Sequence, residues 1–120
     1  MEIAIIAHDG KKAEMVQFLN ENRSILDQKR VQLVSTGTTG EKVRAAGFEV
    51  TALLSGPKGG DAQIAARVAE GKCNMVIFFR DPLDKHPHEP DILMLMRLCD
   101  VHNVPLATNP SSAGLLIKAV

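Results

Sequence analysis

EIAIIAHDGKK, residues 2–12, decides how this chain folds. After Glu2 come five consecutive apolar residues, rich in isoleucine, in a run too short for a helix. They also lack the apolar–polar alternation of a strand with one wet face. A run of this kind suits a strand covered on both faces. Residues 31–34, 50–54, 75–79 and 104–107 repeat the signature. Between them the apolar spacing turns helical. Met15, Val16 and Leu19 share one face, as do Ile64, Ala65 and Val68, and then Ile92, Leu95, Met96 and Cys99. Five strands alternating with helices predict right-handed crossovers and an α/β fold. The expected form is a three-layer α/β/α sandwich around a five-stranded parallel sheet. Thr39, Gly60-Asp61 and Pro90 mark helix starts, while Gly47 and Gly71 mark helix ends. No repeat, linker or low-complexity stretch interrupts the pattern, so residues 1–120 read as one domain.

The second half of the opening stretch, His8-Asp9-Gly10-Lys11-Lys12, points to function. Each later strand also runs into a polar cluster. The second meets Ser35-Thr36-Gly37-Thr38-Thr39-Gly40, and the third Ser55-Gly56-Pro57-Lys58-Gly59-Gly60-Asp61. The fourth meets Arg80-Asp81-Pro82 and a turn with His86 and His88, and the fifth Thr108-Asn109-Pro110-Ser111-Ser112. In a parallel sheet all five clusters gather at the carboxyl edge, where open α/β sheets bind ligands.

Composition removes several classes of partner. Fourteen Lys plus Arg balance fourteen Asp plus Glu, so no basic face is expected for nucleic acid or an anionic membrane. With no Trp or Tyr and four Phe, a base-stacking platform has almost no material. No apolar run approaches the ~20 residues of a membrane span, and Met1-Glu2 lacks the basic flank of a signal peptide. A soluble, cytoplasmic protein is the expectation. Cys73 and Cys99 sit in apolar segments without CxxC spacing and read as free, buried thiols.

The threonine–glycine turn at 36–40 suits an oxyanion: glycine lets the backbone approach, and hydroxyls and helix-start amides donate. Taken alone, it is equally a well-capped helix. It is neither a GxxxxGK[ST] loop nor a GxGxxG fingerprint, which argues against nucleoside triphosphates and NAD. Lys12 could neutralise a phosphate there, or be a solvated lysine like Lys11. Asp61 is either a helix cap or a general base. His86, His88, Glu89 and Asp91 lack the spacing of a zinc site, and a histidine polarising a carbonyl fits better. His86 itself reads as a solvent-exposed loop residue.

Together these stretches resemble the methylglyoxal synthase family. The likeness rests on Ala7-His8-Asp9 with Lys12, on STGTTG at 35–40, and on LSGPKGGD at 54–61. FFRDPLDKHPHEPD at 78–91 and ATNPSSA at 107–113 extend it over nearly the whole chain. The resemblance implies strand order 3-2-1-4-5, a homohexamer, no cofactor and no metal. It implies conversion of dihydroxyacetone phosphate into methylglyoxal and inorganic phosphate, the latter a possible inhibitor. Asp61 then corresponds to the catalytic base, with His88 and Asp91 beside it in the catalytic set. His8, Asp9, Lys12, Thr36, Gly37, Thr38, Thr39, Ser55 and Gly56 correspond to substrate or phosphate contacts. Many members continue beyond the helix in which this chain ends at Val120, and contacts made by such a tail fall outside the expectation. The same fold also serves as an anion-binding regulatory module, as in carbamoyl phosphate synthetase. Such a module has no use for Asp61, His88 and Asp91 together.

Overall fold

The computed structural model describes residues 1–86 and 89–120. Five strands, β1 (Glu2–Ala7), β2 (Gln32–Ser35), β3 (Val50–Ala52), β4 (Met75–Phe79) and β5 (Leu106–Ala107), pair in parallel in the order β3-β2-β1-β4-β5. Among the described residues six helices connect and flank them: α1 (Lys12–Glu21), α2 (Arg23–Gln28), α3 (Gly37–Ala45), α4 (Gly60–Ala69), α5 (Glu89–Val101) and α6 (Pro110–Ile117). Single 3-10 turns, Asp9–Lys11 and Gly56–Lys58, precede α1 and α4.

Alternation along the central strands divides the core in two. Ile3, Ile5 and Ala7 of β1, with Met75, Ile77 and Phe79 of β4, face α1, α2, α3 and α6 through residues such as Met15, Leu26, Val43 and Ile117. Ala4, Ile6, Val76 and Phe78 face α4 and α5 through Ile64, Val68, Ile92 and Leu95. With both faces covered, every residue of β1 and β4 is buried. The three layers follow from the winding: β1 to β3 runs one way, β3 to β5 the other. Right-handed crossovers in opposite senses place their helices on opposite faces.

Some boundaries depart from expectation. β2 lies one residue later than 31–34, β3 stops at Ala52, and β5 holds only two residues. β3 and β5 are edge strands, and Pro105 has no N–H to extend β5, although its carbonyl accepts from the Val76 amide at 2.9 Å. α2 was not foreseen; the chain bends at Asn22, whose amide still bonds back to Phe18 and Leu19 at 3.2 Å. α3 begins at Gly37 with Thr36 as its cap residue, not at Thr39. α4 is capped by Gly59 in the left-handed region at φ 106°, so Asp61 is not the cap but the second helical residue. Gly47 (φ 94°) and Gly71 (φ 76°) end their helices as expected. Pro90 lies in the first turn of α5, and both cysteines are free and buried.

Candidate active site

A pocket of about 180 Å³ opens at the carboxyl edge, where the winding reverses between β1 and β4. β1 delivers Ile6, Ala7, His8, Asp9 and Lys12 to its wall. Thr36 and Thr38 come from the turn after β2, Gly56, Pro57 and Asp61 from the segment after β3, and His86 from the loop after β4. Four of the five polar clusters therefore meet. The fifth lies apart, where Thr108, Asn109 and Pro110 line a separate cleft with Lys11, Glu14 and Arg80.

The turn after β2 is held from two sides. Thr39 is buried; its Oγ1 accepts from the Ala7 amide at 3.2 Å and donates to the Ala7 carbonyl at 3.3 Å. That hydroxyl ties the end of β1 to α3, and Thr39 does not reach the pocket wall. The Gly37 amide donates to the Leu54 carbonyl at 3.0 Å, so it is already engaged, and Gly37 is off the wall too. A Cβ there would approach the Leu53 carbonyl to 3.0 Å. The Thr36 hydroxyl donates to Thr39 Oγ1 at 3.4 Å, which leaves the Thr38 hydroxyl and the first-turn amides after Gly37 as donors on this side.

Lys12 projects back over the end of β1. Its Nζ donates to Asp9 Oδ1 at 2.7 Å and to the Ala7 carbonyl at 3.0 Å. The Lys12 side chain is 12% exposed and that of Asp9 98% exposed. This hydrogen bond from Lys12, and then its charge, hold the Asp9 carboxyl below the usual carboxylate range, with His8 and His86 adding smaller contributions.

Asp61, fully buried, lines the same pocket from the start of α4. Gly60 makes that position reachable: a Cβ on it would collide with the Leu54 carbonyl and meet the Thr36 methyl at 2.9 Å. Gly60 instead donates its amide to the Ser55 carbonyl at 2.9 Å. Ser55 shapes this turn through its backbone and does not line the pocket.

His8 is nearly buried, and its Nδ1 accepts from the Asp81 amide at 2.8 Å. In the neutral ring that leaves the proton on Nε2. The His86 ring stacks on it with centroids 3.5 Å apart and planes 21° from parallel. His86 is thus a half-buried wall residue, contrary to the exposed loop position expected from the sequence. Nothing in its spacing foretold this, since it depends on the path of the loop. Asp91, half-buried in the first turn of α5, is not on the wall. His88 lies outside the described residues. The Arg80–Glu89 ion pair, 3.0 Å, joins the two ends of that loop. Among the described residues no group of three or more His, Cys, Asp or Glu is placed to hold a metal ion.

Comparison with known proteins bears on the family and the fold. The family model described as the MGS-like domain matches residues 14–108. A methylglyoxal synthase of Clostridium botulinum (strain Eklund 17B / Type B) is 50% identical over 119 residues, covering 98% of this chain and 98% of that protein. One from Burkholderia multivorans (strain ATCC 17616 / 249) is 53% identical over 116 residues, covering 96% and 88%. The crystal structure of methylglyoxal synthase from Elizabethkingia anophelis NUHP1 superposes with a TM-score of 0.88 at 37% identity, covering 97% of this chain and 76% of that one.

Proposed function

The chain belongs to the methylglyoxal synthase family, and on that premise we infer which of its residues carry the reaction. It is a carbon–oxygen lyase that converts dihydroxyacetone phosphate into methylglyoxal and inorganic phosphate. One observation carries the assignment of roles: a fully buried carboxylate, Asp61, shares a small pocket with the cation of Lys12 and the imidazole of His8. A module that only bound anions would be weakened by a carboxylate in the wall of its own site.

Removing the proton alpha to a ketone builds negative charge on the carbonyl oxygen. Asp61 takes that proton, working where little water competes for it. His8, donating from Nε2, and His88, at the carbonyl end, stabilise the oxygen as its charge grows. Preorganised donors at such a centre are typically worth about 3 kcal/mol each. The enediolate then expels phosphate, provided the C–O bond stands out of the enediolate plane, and the enol left behind takes a proton at its terminal carbon to become methylglyoxal. Lys12, Thr38 and the amides at the start of α3 hold the phosphate, fix that torsion and receive the leaving charge. Thr36 and Gly56 lie against the substrate, while Thr39, Gly37 and Ser55 act by holding the surrounding backbone. Asp9 sets how much of Lys12 faces the phosphate, and Asp91 is assigned to the catalytic set by the family resemblance alone. The charge is met by hydrogen-bond donors, so no cofactor enters the scheme.

The reading extends to a cytoplasmic location and to a homohexamer, and association of copies is supported by Leu93, Met94 and Val101, which leave exposed apolar surface on α5. Inorganic phosphate, bound by the same donors, acts as an inhibitor. The decisive experiment incubates the protein with dihydroxyacetone phosphate and follows methylglyoxal and phosphate together. Equal release of both is expected; phosphate binding without turnover would leave an anion-binding module. 2-Phosphoglycolate, whose carboxylate mimics the enediolate, should bind about 10²-fold more tightly than phosphate.

A further inference from the structure

The loop after β4 grips the His8 imidazole twice. At its start the Asp81 amide donates to Nδ1 at 2.8 Å. Five residues later the His86 ring covers one face of the same imidazole, centroids 3.5 Å apart and nearly parallel. The Phe78 ring meets His8 at a steep angle, 75°, with centroids 5.1 Å apart. Between grip and cover the turn is braced, because Asp81 Oδ1 accepts from the Leu83 amide at 3.1 Å. The Asp81 bond fixes which nitrogen carries the proton, and rotation about that bond is what changes where the ring points. A stacked ring opposes such rotation.

We propose that His86 is a positioning residue: its ring, stacked on His8, holds the His8 Nε2–H in the direction of the substrate oxygen. The inference rests on the role given to His8 above and adds a residue to that site. His86 needs only a flat ring for this task. It neither takes nor gives a proton. Misdirecting one donor by about an ångström can cost up to ~10²-fold in rate.

Two measurements test it. In activity, His86→Ala should lower kcat about tenfold or more, with inhibition by inorganic phosphate unchanged, because the phosphate donors lie on other elements. His86→Phe should restore most of the loss. In a His8→Ala background His86→Ala should cost almost nothing further, as coupled residues do in a double-mutant cycle. Full activity in His86→Ala, no recovery in His86→Phe, or an undiminished loss in the His8→Ala background would each overturn the proposal. The second readout needs no catalysis. Nitrogen NMR of labelled histidine should show His8 as the Nε2–H tautomer in the parent protein and in His86→Phe. In His86→Ala the same tautomer should persist, held by the Asp81 amide, but the Nε2–H signal should broaden as the ring loses its fixed direction. An identical His8 signal in all three would refute positioning even if the parent made no methylglyoxal. Inactivity of the parent with the expected shifts intact would refute the function alone.

Discussion

Replacing Asp61 by asparagine keeps the volume of a fully buried side chain and removes its capacity to accept a proton. Turnover should fall by 10²- to about 10⁴-fold, with folding intact and phosphate still bound. Retention of more than about a tenth of the activity would move the base to another carboxylate. The Asp9–Lys12 pair makes a separate statement about pH. Its hydrogen bond holds the Asp9 carboxyl low, so the native state takes up a proton less readily than the unfolded chain. The stabilisation is present above the ordinary carboxylate value of ~4 and lost as pH falls through the lower native value. Because Asp9 is almost wholly exposed, the effect is small. Melting temperatures of Asp9→Asn and the parent should differ slightly at pH 7 and converge in acid. A gap that widens in acid would contradict the pairing.

At the scale of elements, α4 can start where it does because Gly60 lets its backbone pass against Leu54. Gly60→Ala would force those segments apart, and a loss of ~2 kcal/mol or more is expected, read as a lower denaturant midpoint. Activity should fall further than stability explains, since Asp61 is the next residue. Unchanged stability would show that the turn has slack. β1 and β4 were legible because burial on both faces leaves uninterrupted apolar runs. The edges of the sheet were not, because half-exposed strands end where their neighbours end rather than where a residue type changes. The helix start at Thr36 was missed because Thr39 spends its hydroxyl on Ala7 across the sheet, a bond that no local pattern reveals. The polar clusters were readable as a site because parallel strands bring them to one edge. That His86 faces the site, and that the Gly37 amide is already used, depends on chain paths between elements.

Over the whole molecule, the layer formed by α4 and α5 closes over both cysteines. Burial pushes the Cys99 thiol up to about 11 and raises Cys73 as well. A raised thiol reacts only in the small fraction that ionises, so at pH 8 a disulfide reagent should read almost no thiol in the native protein and two after denaturation. Rapid native labelling would mean that this layer opens without global unfolding. The seam between β1 and β4 has a different kind of consequence. Ile3 pairs with Met75 across more than half of the chain, whereas the other pairings join segments closer in sequence. Closing so long a loop is the slow, non-local step of assembly. A refolding chain can therefore acquire its helices and its threonine turn before its first and fourth strands meet. Ellipticity should return ahead of turnover, with a lag set by the chain itself and independent of protein concentration, so catalytic competence serves as a clock for the last long-range contact to form.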